Sequence, residues 1–107
     1  MQQWISDYLT AQKRAVDTLR PDQIATIVEM LRDVWKRDAQ VFAIGNGGSA
    51  ANASHFAVDL GKGASDVLQR RFRVLSLTDN VPWLTALSND LSYDDVFVEQ
   101  LRNYAEK

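Results

Sequence analysis

The sequence has no cysteine, one histidine and two prolines among its 107 residues. Without cysteine, disulfide bridges and thiolate metal sites are excluded, and a cytoplasmic location is permitted and is the one we expect. No apolar run approaches the ~20 residues of a membrane-spanning helix, and residues 1–14 lack the apolar centre of a signal peptide. We therefore expect no membrane partner.

An excess of positive charge is also lacking, because 12 Lys and Arg residues are outnumbered by 14 Asp and Glu residues and the formal net charge is -2. A nucleic-acid-binding protein relies on a cationic surface, so we expect no nucleic-acid partner. What the chain does have is ordinary globular composition, 46% hydrophobic and 24% charged, which suffices for a buried core.

Two amphipathic helices are predicted first. Apolar residues recur at spacings of three and four over 3–19 and again over 22–36. Arg20-Pro21 separates them, because a residue before proline avoids the α region and proline suits a first helical turn. Residues 1–38 are thus predicted to form a helical pair.

A βαβ unit follows. The short apolar runs 41–44 and 72–77 predict strands, the first buried on both faces, and the alanine-rich segment 49–60 predicts a helix that Gly61-Lys62-Gly63 ends. A strand, a helix and a strand in this order predict parallel pairing through a right-handed crossover. Two parallel strands are too few for an independent sheet, so we expect residues 39–107 to begin a larger α/β domain.

Helical segments also close the chain. Residues 78–80 offer an N-cap for a helix over 82–87, and Asn89-Asp90 is predicted to interrupt the helical structure. Ser92 with Asp95 three residues later resembles a capping box that starts a last helix.

The turn Gly45–Ala50, GNGGSA, joins the first strand to a helix. Its glycines let the backbone approach a ligand, and the free N–H groups of the helix start favour a phosphate, with Asn46 and Ser49 as further donors. One alternative is a tight turn with Ser49 as a plain N-cap. Another is a G-x-G-x-x-A dinucleotide fingerprint, for which Asp79 would be the acidic partner.

His55 and Asp59 are four residues apart and therefore share one helix face. This spacing suits the binding of one metal ion or one substrate, although an i,i+4 ion pair has the same spacing. A metal would need further ligands from elsewhere. Asn89 and Asp90 either form a helix-stop turn or hydrogen-bond a sugar at the carboxyl ends of the strands.

On these residues the chain resembles the sugar isomerase (SIS) domain superfamily, in its phosphoheptose isomerase branch. GNGGSAANASHFAVDLGKG at 45–63 and LTDNVPWLTALSND at 77–90 carry the resemblance. It spans nearly the whole chain but only about the first half of the family domain. We therefore expect 1–107 to be a single partial SIS domain that is inactive alone.

The resemblance implies a fold and a reaction. The fold is a doubly wound, flavodoxin-like α/β domain, a three-layer α-β-α sandwich with a parallel sheet, here truncated after two strands. The reaction is aldose–ketose isomerisation of sedoheptulose 7-phosphate to a heptose 7-phosphate for surface-polysaccharide precursors. The family uses zinc and forms a homotetramer, with the helices of 1–38 in the subunit interface.

The resemblance also implies roles for individual residues. Asp59, where the family most often has glutamate, is implied to contact metal and substrate and to transfer a proton, and His55 is implied to be a zinc ligand. Substrate contacts are implied for Asn46, Gly47, Gly48, Asn89 and Asp90. Two other functions stay open: a non-catalytic SIS module that binds a sugar phosphate or a protein, as in replication-initiation regulators, and a fragment that only oligomerises.

Overall fold

The computed structural model describes residues 1–106, which fall into two compact units. The first unit, Met1–Asp33, contains α1 (Gln2–Asp17) and most of α2 (Pro21–Lys36). Both helices begin and end within two residues of their predicted bounds. Within the described chain, neither helix has a buried residue, although both are rich in apolar side chains. No helix of residues 1–106 is at once long enough and apolar enough to cross a membrane.

The second unit begins at Val34 and is an α/β structure. Its strands pair in parallel, as predicted, and in the observed register Val41 lies opposite Val74 and Ala43 opposite Ser76. Within residues 1–106 the sheet has two strands. Its elements are β1 (Gln40–Ala43), α3 (Gly48–Val58), a π-helical segment (Asp59–Ala64), α4 (Ser65–Leu68), β2 (Arg73–Ser76), α5 (Val81–Asp90), a 3₁₀ turn (Tyr93–Asp95) and α6 (Val98–Tyr104).

A small apolar core connects the helices of this unit to the sheet. Its buried apolar members are Ala53, Leu60, Leu77 and Val96. Gln100 of α6 is 2% exposed, and its Nε2 donates to the carbonyl oxygens of Leu77, at 3.0 Å, and Val96, at 2.7 Å. The first of these bonds attaches α6 to Leu77, the residue that follows β2, and the second joins Gln100 to the chain just before α6. The prediction that the first strand is buried on both faces is wrong, because β1 is only half-buried in a sheet where both strands are edges.

The predicted helix stop at Gly61-Lys62-Gly63 is also wrong. The chain continues as a π-helical segment and then α4, which ends at Gln69 in a left-handed conformation (φ 54°). Gly61 serves packing: a β-carbon there would lie 2.9 Å from Cγ1 of Val74 on β2. Glycine therefore lets the helical segment lie close to the strand.

Two further boundaries differ from the prediction. A cap within residues 78–80 was expected, and Asn80 provides it, since its Oδ1 accepts from the N–H of Trp83 at 3.0 Å. However, α5 continues through Asp90. The capping box is wrong because the Ser92 hydroxyl donates to Oδ2 of Asp95, at 2.7 Å, and caps no N–H group. Ser92 therefore starts the 3₁₀ turn, and α6 begins only at Val98.

Candidate functional site

The loop between β1 and α3 contains three glycines with different surroundings. At Gly45 a β-carbon would lie 2.4 Å from the carbonyl oxygen of Ser49, so the close return of the chain requires glycine. Gly47 has φ 55° and ψ -123°, a backbone conformation that residues with a β-carbon rarely adopt. The space around Gly48 is open. Gly47 is the N-cap and α3 begins at Gly48, so the helix starts one residue before the predicted position. Ser49 lies within the first turn, and the alternative that made it the N-cap is wrong.

Backbone hydrogen bonds close this turn. The N–H of Ser49 donates to the Asn46 carbonyl at 3.0 Å, and the N–H of Ala50 donates to the Gly47 carbonyl at 3.1 Å. Within residues 1–106, the N–H groups of Gly47 and Gly48 donate to no backbone carbonyl. Two free donors at the start of an 11-residue helix, where the helix dipole is positive, favour an anion.

The side chain of Asn46 is held from a distant part of the chain. Its Oδ1 accepts a hydrogen bond of 2.7 Å from the hydroxyl of Tyr93, which lies 47 residues later in the 3₁₀ turn. The sequence did not point to Tyr93, because nothing in the local pattern SYDD shows that this turn lies beside the glycine loop.

His55 and Asp59 come together on one face, as their spacing predicts. Nε2 of His55 lies 3.4 Å from Oδ2 of Asp59, and the two side chains are 75% and 69% exposed. Two ligand atoms that each lie ~2.0–2.2 Å from one tetrahedral zinc ion are ~3.4 Å apart. The separation of the His55 and Asp59 atoms therefore fits two ligands of such a zinc site. An ordinary i,i+4 ion pair has the same distance. Among the described residues, no third histidine or carboxylate joins them in a group that could hold a metal.

Asn89 and Asp90 form the exposed end of α5 and do not interrupt it, contrary to the prediction. Nδ2 of Asn89 donates to Oδ1 of Asp90 at 2.9 Å, so the two side chains contact each other. The segment that follows α5 supplies Tyr93, which joins this region to the glycine loop through Asn46.

A half-buried polar network lies behind the loop and was not predicted. The Ser54 hydroxyl donates to the carboxylate of Asp79 and lies 3.1 Å from the Thr78 hydroxyl, which is 2.7 Å from that of Ser76. This network connects α3 to the carboxyl end of β2. Asp79 is thus engaged by the protein, which weakens the dinucleotide alternative that needs its carboxylate for a ribose.

Comparison with known proteins identifies a family that this chain resembles. The family model described as SIS domain matches residues 3–107. The lincomycin biosynthesis protein LmbN of Streptomyces lincolnensis is 36% identical over 102 residues, which are 95% of this chain and 37% of LmbN. A probable phosphoheptose isomerase of Thermoplasma volcanium is 35% identical over 102 residues, 95% of this chain and 52% of that protein.

A solved structure agrees. Phosphoheptose isomerase GmhA from Neisseria gonorrhoeae superposes with a TM-score of 0.74 at 29% identity, over 96% of this chain and 52% of GmhA. The chain thus spans about half the length, or less, of these relatives. With the family match over almost every residue and the agreement of fold, this chain belongs to the SIS domain family.

Proposed function

We propose that the protein is a phosphosugar isomerase that interconverts sedoheptulose 7-phosphate and a heptose 7-phosphate, in the supply of surface-polysaccharide precursors in the cytoplasm. The observation that carries this proposal is that α3, which starts at the glycine loop, contains His55 and leads directly into Asp59, which pairs with it. The names of the Thermoplasma and Neisseria relatives support the reaction class.

The glycine loop would hold the phosphate. The free N–H groups of Gly47 and Gly48 can donate to phosphate oxygens, and the exposed Ser49 hydroxyl and Asn46 amide are further donors. A phosphate fixed there would set the position of the sugar chain relative to Asp59. Asn89 and Asp90 are proposed to hydrogen-bond the sugar hydroxyls.

Aldose–ketose isomerisation moves one proton between C1 and C2 and another between the oxygens on these carbons, through an enediolate, and the group that moves the oxygen proton would come from outside the described residues. The exposed Asp59 carboxylate can accept a proton from one carbon and return it to the other. Asp59→Asn replaces the carboxylate with an amide of the same shape. It should therefore stop the proton transfer and leave sugar-phosphate binding intact.

The His55–Asp59 distance fits zinc ligation, so we propose that His55 and Asp59 supply two ligands of a zinc site. Bound zinc would polarise the carbonyl and hydroxyl oxygens of the sugar as a Lewis acid. The remaining ligands would come from outside the described residues.

The apolar side chains of α1 and α2 support a proposed homo-oligomer, with a tetramer as the expected state. Trp4 is 67% exposed and Ile27 is 58% exposed, and burying such side chains against another copy is favourable. Ile27→Asp should lower the mass measured by light scattering, and an unchanged mass would exclude α2 from the interface.

The test of the isomerase uses the natural gene product that carries this sequence. Asp59→Asn should reduce aldose formation from sedoheptulose 7-phosphate by about 100-fold or more, with calorimetric substrate affinity nearly unchanged. Asp66→Asn is the matched control, because Asp66 is an exposed aspartate two turns further along that pairs with Arg71.

Unchanged turnover in Asp59→Asn would contradict the role of Asp59. Binding by the unmodified protein with no turnover, in zinc as well as without it, would favour the non-catalytic SIS module instead.

A further inference from the structure

We infer that Tyr93 is a positioning residue of the glycine loop, which holds the Asn46 side chain so that its amide hydrogens are available to a bound sugar phosphate. The ligand in this inference rests on the proposed function. The hydrogen bond itself, 2.7 Å from the Tyr93 hydroxyl to Oδ1 of Asn46, is a feature of the fold.

Asn46 is fixed at both ends. Its carbonyl oxygen accepts from the N–H of Ser49, and its side-chain oxygen accepts from Tyr93. With Oδ1 occupied, the group of this side chain left for a ligand is the Nδ2 amide, which donates two hydrogen bonds. A donor beside the free N–H groups of Gly47 and Gly48 extends the same anion-binding surface.

Tyr93 is presented by a turn that is itself held in place. Across this turn the Ser92 hydroxyl donates to Asp95, and the N–H of Asp95 donates to the Ser92 carbonyl at 3.2 Å. Val96, directly after the turn, is 1% exposed and anchors the segment in the core. The Tyr93 hydroxyl therefore reaches Asn46 from a fixed support.

The Tyr93 ring contributes little to the core, because the residue is 56% exposed. Loss of the hydroxyl should thus leave the packing intact and act on Asn46 alone. Because the ring is exposed, Tyr93→Phe can test a role in positioning separately from a role in stability.

The experiment compares Tyr93→Phe with the unmodified natural gene product. Titration with sedoheptulose 7-phosphate should show about three- to tenfold weaker binding, which corresponds to one hydrogen bond. In the ligand-free protein, the side-chain NH₂ resonances of Asn46 should move, while the melting temperature should stay the same. Tyr104→Phe is the matched control, because it removes a hydroxyl from a ring that packs against Trp83, and its affinity should be unchanged.

A double-mutant cycle with Asn46→Ala makes the inference specific. If Tyr93 acts through Asn46, Tyr93→Phe should have no further effect on affinity once Asn46 is alanine. Equal affinity of Tyr93→Phe and the unmodified protein, or the same loss in the Asn46→Ala background, would overturn the inference and leave the proposed function standing. Failure of the unmodified protein to bind the sugar phosphate would overturn both.

Discussion

The three glycines of the loop should respond very differently to alanine. At Gly45 the new β-carbon would lie 2.4 Å from the carbonyl oxygen of Ser49 and 2.5 Å from its carbonyl carbon. Both are backbone atoms, so the loop or the first turn of α3 would have to move. We expect a cost of about 3 kcal/mol, at the upper end of what overpacking costs.

Gly47 and Gly48 lack such a clash, since nothing lies within 4 Å of a β-carbon at either position. Gly47 has φ 55°, so alanine there would be strained by about 2 kcal/mol. Gly48 has no positive φ and lies in the helix, where alanine should be neutral or stabilise by about 0.5 kcal/mol.

The assay is urea and thermal unfolding of the natural gene product that carries this sequence and of its three variants. A loss of 3 kcal/mol should lower the melting temperature by about 6–12 °C in a domain of roughly 150–250 residues. We expect the losses to follow the order Gly45, Gly47, Gly48, from the largest to the smallest. Equal losses at all three positions, or the largest loss at Gly48, would refute it.

Two other predictions concern stability. The Arg73 guanidinium, which hydrogen-bonds Glu106, lowers the pKa of that carboxyl below its ordinary value. Because the folded-state pKa is the lower one, the pair stabilises the fold above the unfolded-state pKa, and this contribution is lost as the pH falls through the folded-state value. NMR titration of Arg73→Gln should show the Glu106 pKa back at its ordinary value, and an unchanged pKa would contradict the pairing. Gln100→Leu should cost about 1–3 kcal/mol in urea unfolding, because the carbonyl of Leu77 loses its buried donor, and a neutral substitution would show that this bond contributes nothing.

The sequence predicts those parts of the fold that local patterns determine. Three predicted features depend on neighbouring residues and were found: the apolar periodicities of α1 and α2, the two short strands, and an N-cap of α5 within residues 78–80. The predicted helix stop at Gly61 was wrong because glycine is needed there for close packing against Val74, a residue of β2. Local patterns cannot distinguish a glycine that ends a helix from one that admits a neighbour.

The candidate site divides in the same way. The loop glycines and the spacing of His55 and Asp59 are local, so the sequence predicts them. The contact of Tyr93 with Asn46 and that of Ser54 with Asp79 join residues 47 and 25 positions apart. Only the folded chain brings these residues together, and their spacing in the sequence does not indicate the contacts.

One helix sets the distance between the two ends of the proposed site. At a rise of about 1.5 Å per residue, His55 lies roughly 10 Å along the helix from Gly48. Because side chains on a helix tilt toward its N-terminus, the Asp59 carboxylate extends back toward His55 and the loop. The distance from the proposed phosphate donors to Asp59, the proposed proton-transfer group directly after α3, therefore depends on α3, whereas Tyr93 contacts Asn46 at the proposed phosphate end. Selection among sugar phosphates of different chain length should accordingly depend on α3, and the strength of phosphate binding on the loop.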